Sequence, residues 1–183
     1  MKKVRDSARA KGFKNCACVY IAGVLVALIQ SQIDICHAQQ SVIGNNLYGQ
    51  YMNERYGYSI CYPENLFAPQ GESVSGDGQV FLAQDGAKMR VYADYNISNK
   101  SIQDAFKEAI SDQKSKGVVT FKSQQSNWYI VSGKGNGNIF YQKTILEGEE
   151  FISFRAVYPE SASAIYGGIV TAMNQCLKPS GPH

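Results

Sequence analysis

The sequence predicts an α+β domain, in which an antiparallel sheet of about six to seven strands is covered by a central helix and a C-terminal helix. Most of residues 50–178 consists of short apolar segments separated by turns rich in Gly, Asn and Asp, which is typical of an antiparallel sheet. Two longer stretches have helical periodicity instead, one in the middle of this region and one at its end. Several strand segments are apolar at both parities, so both faces of the sheet need a cover.

The first half of the domain predicts strands around one clear hairpin. Residues 56–62 alternate between apolar and polar positions with period two, as a strand with one buried face does. Residues 69–78 contain three glycines, and we expect them to form a flexible loop. Residues 79–95 are expected to form two strands joined at Asp85-Gly86, because this pair is a strong signal for a hairpin turn.

A central helix is predicted after these strands. Ser101 is a suitable N-cap, because its hydroxyl can accept a hydrogen bond from the first turn, where Asp104 also suits the positive end of the helix. Gly117 is expected to end the helix. Its apolar face comprises Ile102, Phe106, Ala109 and Ile110. This face is expected to cover one side of the sheet.

The second half predicts an antiparallel meander followed by the C-terminal helix. The strands are expected at 118–123, 127–132, 138–146 and 150–158, with short turns between them. The segment 133–138 is rich in Gly and contains a Lys, but it lies between strands and lacks the phosphate-loop pattern, so we expect a hairpin turn. The last helix is expected over 161–177. Its apolar stripe comprises Ile165, Ile169, Ala172, Met173 and Cys176.

The N-terminal segment 1–38 has the layout of a cleavable signal peptide, with a basic start, an apolar run and small residues before the cut. Cleavage near Ala38 would place the protein in the periplasm or outside the cell, without a stable membrane anchor. The alternative is a retained anchor, but the apolar run of about 11 residues is shorter than the roughly 20 that a spanning helix needs. The rest divides into a flexible lead (39–49), a single α+β domain (50–178) and a tail (179–183).

The composition that remains after cleavage bears on partners and compartment. The remaining 145 residues carry 12 basic and 13 acidic side chains, so we expect no nucleic-acid partner. Cys61 and Cys176 are the two cysteines of this part, and an even pair in an exported protein predicts a disulfide. Two unpaired buried thiols are the alternative. A disulfide would tie the last helix to the first part of the sheet.

The histidine content argues against the commonest catalytic mechanisms. His37 leaves with the signal peptide and His183 is the last residue, so no Ser-His or Cys-His nucleophile is expected. We therefore expect no catalytic residues and no enzyme activity. We also expect no cofactor and no metal site, because the acidic turns around Asp77, Asp85 and Glu147 lack the ligand spacing of a calcium-binding loop.

Aromatic residues are the candidates for a binding surface. Four of the tyrosines crowd the stretch 51–62. A tyrosine can be half-buried with its hydroxyl in water, which suits both the packing of a sheet and a recognition surface. The candidate surface comprises Tyr51, Tyr56, Tyr58 and Trp128.

These motifs resemble those of small exported bacterial proteins of uncharacterised function. The resemblance is carried by the segment 55–63, the Gly-Asp-Gly loop at 76–78, the segments 127–133 and 139–141, and the closing helix. The order of elements is also similar to the PsbP-like fold, an α/β/α sandwich shared by photosystem extrinsic subunits, a Ran-binding import factor and DcrB-type envelope proteins. The resemblance covers about residues 50–178. It implies this fold and, by analogy, a binding or assembly role.

The expected function is therefore that of a non-catalytic envelope protein, which binds an envelope or secreted protein partner as an assembly or accessory module. Immunity against an exported toxin is one form of this role. Two alternatives remain. An acid-based periplasmic hydrolase acting on glycans would use two of Glu54, Glu64, Asp77 and Asp94, about 5 to 10 Å apart in one cleft. A small-ligand carrier would need a closed apolar pocket between the sheet and a helix.

Overall fold

The structure, a computed structural model, describes residues 41–43 and 46–179. The predicted signal peptide lies outside the described residues, as do parts of the predicted lead and tail. No helix of the described part is long and apolar enough to cross a bilayer.

Ten strands and two α-helices make up the described part of the chain. In chain order they are β1 (Ser41–Ile43), β2 (Asn46–Met52), β3 (Ser59–Pro63), β4 (Ala68–Glu72), β5 (Gly78–Leu82), β6 (Lys88–Tyr95), α1 (Ile102–Lys114), β7 (Val118–Gln124), β8 (Trp128–Gly135), β9 (Asn138–Glu147), β10 (Glu150–Pro159) and α2 (Ser163–Cys176). A short 3-10 turn leads from β10 into α2.

The described strands pair in antiparallel fashion and form two sheets. The large sheet has the order β4-β5-β6-β10-β9-β8-β7, and the small sheet has the order β1-β2-β3. The chain builds the large sheet inwards from both edges, so that β6 and β10 meet in the middle. This is the predicted α+β class, with a seven-stranded antiparallel sheet, a central helix and a C-terminal helix.

The register of the central strands decides which side chains are buried. Ile152 on β10 lies opposite Ile145 on β9 and Ala93 on β6. Because side chains alternate along a strand, the rows of this parity form one continuous apolar face. Its buried residues on β6 and β10 include Met89, Val91, Ala93, Ile152, Phe154 and Ala156. The residues that cover this face come from α2, from the small sheet and from the loop between β2 and β3, and they include Tyr58, Ile60, Ile169 and Met173.

Helix α1 covers part of the opposite face. Ser101 caps it as predicted, since its Oγ accepts a hydrogen bond from the backbone N–H of Asp104 at 3.1 Å. The core beneath the helix comprises Ile102, Ala109, Tyr129, Val131 and Phe140. α1 lies over β7 and β8. Phe151 at the start of β10 also packs against this core, whereas the residues further along β10 and on β6 face a cavity beside the helix.

The two hairpin turns predicted at Asp85-Gly86 and in the Gly-rich segment 133–138 are confirmed. Asp85-Gly86 joins β5 to β6, and Gly86 has a φ of 88°. Asn136-Gly137 joins β8 to β9 within the Gly-rich segment. These two residues have φ values of 52° and 74°, which is the backbone conformation of a two-residue hairpin turn. A phosphate loop would lead into a helix instead.

Two segments that were expected to be irregular are strands. Residues 46–49 of the predicted lead belong to β2, where Tyr48 is buried. Residues 68–72, which include the start of the predicted loop, form β4, with a register shift between Pro69 and Glu72. The Pro and Gly residues of this segment are tolerated because β4 is an edge strand, which needs ladder hydrogen bonds on one side only.

Helix α2 turns most of the predicted stripe towards the core, since Ile169, Ala172 and Met173 are buried and Cys176 packs against the same core, but Ile165 is an exception. Ile165 is 59% exposed, whereas Tyr166 and Val170 are buried beside Ile169. The Tyr166 hydroxyl donates to the Asp85 carboxylate, with 2.8 Å to each oxygen. This rotation buries the larger aromatic ring and still satisfies its hydroxyl, which favours it over burial of Ile165.

A disulfide joins Cys61 to Cys176, with Cα atoms 5.8 Å apart and a sequence separation of 115. It links α2 to β3, and β3 belongs to the small sheet rather than to the large sheet as expected. The backbones of Ser59 and Lys178 exchange two hydrogen bonds of 2.9 Å next to it. The small sheet is therefore fixed to the end of α2 by covalent and hydrogen-bonded contacts.

We expect reduction of the disulfide to lower the free energy of unfolding by about 2 to 5 kcal/mol, because the bond closes a long loop in the unfolded chain. The measurement is thermal unfolding, with and without reductant, of the protein purified from cells that express the full chain. Intact mass reports whether the bond is present. The double variant Cys61→Ala/Cys176→Ala should respond equally in both conditions. An unfolding midpoint of the wild type that reductant leaves unchanged would contradict this expectation.

Candidate functional site

Three of the four aromatic residues predicted to form a binding surface lie inside the protein. Tyr51, Tyr56 and Tyr58 are 8%, 6% and 0% exposed. Their rings pack against other aromatic rings, with centroid distances of 6.1 Å from Tyr51 to Tyr58 and 5.2 Å from Tyr56 to Tyr95. These three side chains belong to the core, which corrects the prediction that they form a contact surface.

Internal hydrogen bonds explain why the tyrosines are buried. The Tyr51 hydroxyl donates to Glu72 and accepts from the side-chain amide of Asn53 at 3.0 Å. The Tyr58 hydroxyl donates to the backbone carbonyl of Asp77 at 2.9 Å. Burial and the hydrogen bond to Glu72 raise the pKa of Tyr51 to about 12, so its hydroxyl remains a donor at neutral pH. The tyrosines thereby fix the turn between β4 and β5 to the small sheet.

Trp128, the fourth predicted residue, is partly buried and packs against the main core. The Lys143 ammonium lies 5.7 Å from its ring centroid and donates to the backbone carbonyl of Asn174 at 3.4 Å. Burial lowers the pKa of Lys143. A binding role for Trp128 stays a prediction.

A band of polar residues crosses the sheet face that α1 covers only in part. One row across β9, β10 and β6 comprises Gln142, Arg155 and Arg90. The next row comprises Thr144, Ser153 and Tyr92. Gln142, Thr144 and Ser153 are only 2%, 3% and 4% exposed. Burial of polar groups costs free energy unless they are hydrogen-bonded, so a band of this kind on a sheet face needs an explanation.

Most polar atoms of the band are paired with one another. The Nε2 atom of Gln142 donates to the Tyr129 hydroxyl at 2.9 Å and to Thr144 Oγ1 at 3.1 Å. The hydroxyls of Thr144 and Ser153 share a hydrogen bond of 2.9 Å. The buried Oε1 atom of Gln142 has no partner among the described residues. Exchange of the amide oxygen and nitrogen would leave the NH2 group unpaired instead, so one polar atom is unmatched in either orientation.

Arg155 is the second unmatched group of the band. Its Nε atom is buried without a partner, and its guanidinium makes no hydrogen bond or ion pair with any described residue. Arg90 lies directly opposite on β6, where like charges repel each other. Arg90 pairs with Asp77 at 3.5 Å, whereas Arg155 has the Tyr92 ring 5.5 Å away. Asp94 attracts Arg155 from beyond ion-pair distance.

Two cavities beside α1 open onto the polar band, and Arg155 lines both of them. Their volumes are about 350 Å³ and about 250 Å³. We refer to them together as the α1 groove. Its polar lining comprises Tyr92, Gln142, Thr144, Ser153 and Arg155 from the sheet, Asn136 and Asn138 at the hairpin between β8 and β9, Lys100 before α1, and Glu108, Asp112, Gln113 and Lys116 from α1 and the turn after it. Volumes at this lower end of the range for binding pockets suit a side chain or a short peptide segment.

The other charges of the groove neutralise one another in pairs. Lys100 pairs with Glu108 at 2.5 Å, and Lys116 pairs with Asp112 at 2.8 Å. Both pairs are at least partly exposed, so they contribute little to stability. They do leave the Arg155 guanidinium as the one unbalanced charge in the described lining of the groove.

Of the four carboxylates considered for an acid-based hydrolase, Asp77 and Asp94 are close enough to interact electrostatically. Glu54 and Glu64 lie in exposed turns. Hydrogen bonds from two serine hydroxyls lower the pKa of Asp77. The pKa of Asp94 is raised. The larger cause is the partial loss of hydration of its carboxyl, although the residue is exposed, and the smaller cause is the negative charge of Asp77. In the described part of the chain, no group of three His, Cys, Asp or Glu residues is arranged to hold a metal ion.

The signal for the groove in the sequence is an interruption of the apolar parity. The positions of the same parity between Phe140 and Leu146 on β9 are polar, and so are those between Phe151 and Val157 on β10. The parity alone does not tell which polar positions face each other, because that depends on the register of the two strands. The polar positions could therefore be predicted from the sequence, but the residues that lie beside Arg155 could not.

Comparisons with known proteins bear on the fold. No family model matches the sequence, and no curated protein matches it. Among solved structures, the solution structure of cyanobacterial PsbP (CyanoP) from Synechocystis sp. PCC 6803 matches with a TM-score of 0.54. The fold is PsbP-like. The sequences are 12% identical, and the match covers 76% of this chain and 97% of that chain. The PsbP-like fold implied by the sequence motifs is confirmed, and identity at this level shows the fold alone.

Asp77, which pairs with Arg90 of the polar band, contributes to the stability of the protein. This carboxylate accepts hydrogen bonds from Ser73 and Ser75 and pairs with Arg90, so we expect Asp77→Asn to destabilise the protein at pH 7 by about 1 to 2 kcal/mol. These contacts hold its pKa below the ordinary value of 3.8, so its contribution is complete above that value and disappears as the pH falls through the lower folded-state pKa.

Denaturant unfolding between pH 7 and pH 2 measures this effect. The free energies of unfolding of wild type and Asp77→Asn should differ at pH 7 and converge well below pH 3.8. Glu54→Gln, which alters a carboxylate in an exposed turn, is the matched control and should stay within about 0.5 kcal/mol of wild type. A difference between wild type and Asp77→Asn that is the same at every pH would refute the assignment.

Arg155 and Arg90 should respond in opposite directions to the same substitution. We expect Arg155→Met to raise the free energy of unfolding by about 1 kcal/mol, because it removes a repulsion and an unpaired buried donor. Arg90→Met should lower it, because Asp77 then loses its partner. Denaturant unfolding at pH 7 measures the free energies of unfolding of both variants and of wild type. Equal destabilisation by the two substitutions would mean that Arg155 serves the fold in the same way as Arg90.

Proposed function

We propose that this chain is a non-catalytic accessory protein of a bacterial cell envelope, which is exported and binds a protein partner through the α1 groove. The signal-peptide layout of the N-terminal segment supports export. The disulfide between Cys61 and Cys176 also supports it, because such bonds persist in oxidising compartments. The resemblance to small exported bacterial proteins supports an accessory role, although a fold by itself does not define a function.

The observation that carries the proposal is the unpaired Arg155 guanidinium beside Gln142, whose amide has one unmatched atom, in one groove. Unmatched buried polar atoms cost free energy in the isolated protein, and a ligand that supplies their partners recovers that free energy on binding. Arginine is also enriched among the residues that contribute most to protein interfaces. The groove thus has the properties of a recognition site for a polar partner.

An immunity-like role is a particular form of this proposal. The partner would then be an exported toxin, and occupation of the groove would block it. A toxin gene beside the gene for this chain would favour this form over a general assembly role.

An acid-based hydrolase acting on glycans is the second candidate. The opposite pKa shifts of Asp77 and Asp94 favour it, because such pairs can divide the roles of acid and base. The Asp77 carboxylate is already engaged by Ser73, Ser75 and Arg90, which argues against a catalytic role. Glycan hydrolysis that Asp94→Asn abolishes would establish this function instead. A small-ligand carrier has less support, because both cavities are open to solvent.

Partner capture with matched variants tests the proposal. The tagged full chain is purified together with its partners from an envelope extract of the source cells, and the bound proteins are identified by mass spectrometry. The same partner should be recovered with wild type and with Lys178→Met, and recovery should fall about tenfold with Arg155→Met, since a charged hydrogen-bonded contact is lost. Lys178→Met removes the same charge from an exposed residue on the other side of the sheet.

Two outcomes would overturn the proposal. One is recovery of background proteins only by the wild type. The other is recovery of the same partner in equal amounts with Arg155→Met, which would place the binding surface outside the α1 groove.

A further inference from the structure

We infer that the α1 groove binds a carboxylate group and that the guanidinium of Arg155 holds it. This inference rests on the proposed function and specifies the chemical group that the partner inserts. The carboxylate belongs either to an acidic side chain or to the free C-terminus of a protein chain. Both sources present the same group to the groove.

The Arg155 guanidinium offers the donors that a carboxylate needs. Its N–H groups form a planar fork that matches the two oxygens of a carboxylate. None of them donates to a described residue, and the buried Nε is among those left free. The contact with the Tyr92 ring, 5.5 Å from the guanidinium carbon to the ring centroid, uses the charge but none of the N–H groups.

Gln142 supplies a second contact beside Arg155, its direct neighbour on β9. In one orientation of the amide, the unpaired group is NH2, which is a further donor to a carboxylate. The amide oxygen then accepts from the hydroxyls of Tyr129 and Thr144, each of which can donate. A bound carboxylate selects this orientation because its oxygens only accept. Gln142 thus lies next to the guanidinium that receives the carboxylate, although its own unmatched atom is buried.

Charge favours a carboxylate over a phosphate in this groove. Arg155 provides one unbalanced positive charge, which a carboxylate neutralises. Glu108 and Asp112 lie in the same lining, paired with Lys100 and Lys116. A phosphate dianion would leave excess negative charge beside these two carboxylates, and like charges at that range repel. A cationic group would be repelled by the Arg155 guanidinium, and a neutral acceptor could accept its hydrogen bonds but would leave its charge unbalanced.

An NMR titration of the 15N-labelled protein, purified from cells that express the full chain, tests the inference at constant ionic strength. The probes are sodium acetate, its neutral isostere acetamide, and inorganic phosphate. Acetate should produce saturable shifts of the Arg155 Nε–H and Gln142 NH2 signals, with a dissociation constant on the order of millimolar. Acetamide should bind about tenfold more weakly, because it lacks the charge. Phosphate should also bind more weakly than acetate.

Two variants locate the site. Arg155→Met should weaken acetate binding about tenfold, as followed at the Gln142 NH2 signal. Lys178→Met removes an equal charge from the other side of the sheet and should leave acetate binding unchanged. N-acetylaspartate α-amide presents only a side-chain carboxylate, and N-acetylalanine presents only a terminal one. The tighter of these two ligands identifies the source of the carboxylate.

The inference is overturned if acetate and acetamide act equally, if Arg155→Met binds acetate as wild type does, or if phosphate binds most tightly. Its failure is distinguishable from failure of the proposed function. Arg155-dependent capture of a protein without acetate binding would reject the carboxylate and retain the accessory role. Acetate binding at Arg155 without a captured protein would support the carboxylate site and reject the accessory role.

Discussion

The antiparallel register of β9, β10 and β6 is the constraint on which the rest of the structure depends. The row of Ile145, Ile152 and Ala93 places the apolar rows under α2 and the small sheet. The same register places Arg155 opposite Arg90 on the other face. A slip by one residue would move the polar band into the main core and the apolar rows into the groove. Burial of the apolar rows, which contributes far more free energy than the polar contacts, therefore holds the groove residues in position.

The two faces of the large sheet are covered in different ways. On the main-core face, α2 and the small sheet are joined by the Cys61–Cys176 bond and by the Ser59–Lys178 hydrogen bonds, so they cover it as one connected layer. On the opposite face, α1 rests on a smaller core over β7 and β8. This core reaches Phe140 on β9 and Phe151 at the start of β10, and polar residues take its place further along β10 and on β6. The α1 groove exists because this helix is too far to one side to cover the whole face.

The sequence predicted those features that local physics decides. The Ser101 cap, the Asp85-Gly86 hairpin and the strand parities each depend on a few neighbouring residues, and the structure confirms them. The exclusion of Tyr51 and Tyr58 from the surface was not predictable in this way, because their hydroxyls find partners about twenty residues away, at the end of β4 and in the turn after it. The separate small sheet was missed for a similar reason. A strand segment gives its own parity but not the sheet to which it pairs.

If the α1 groove binds a partner as proposed, stability and recognition make opposite demands on its residues. An apolar side chain in place of Arg155 would end the repulsion from Arg90 and leave no unpaired donor in the isolated protein. Gln142, although nearly inaccessible, likewise leaves one polar atom unmatched beside it. A domain of this size has a net stability of only about 5 to 15 kcal/mol, so two such sites are a measurable fraction of it. The main core supplies enough apolar burial for the fold to form with these groups unmatched. In the proposed function their partners come from outside the chain, and the unbalanced positive charge of Arg155 favours an anion as one of them.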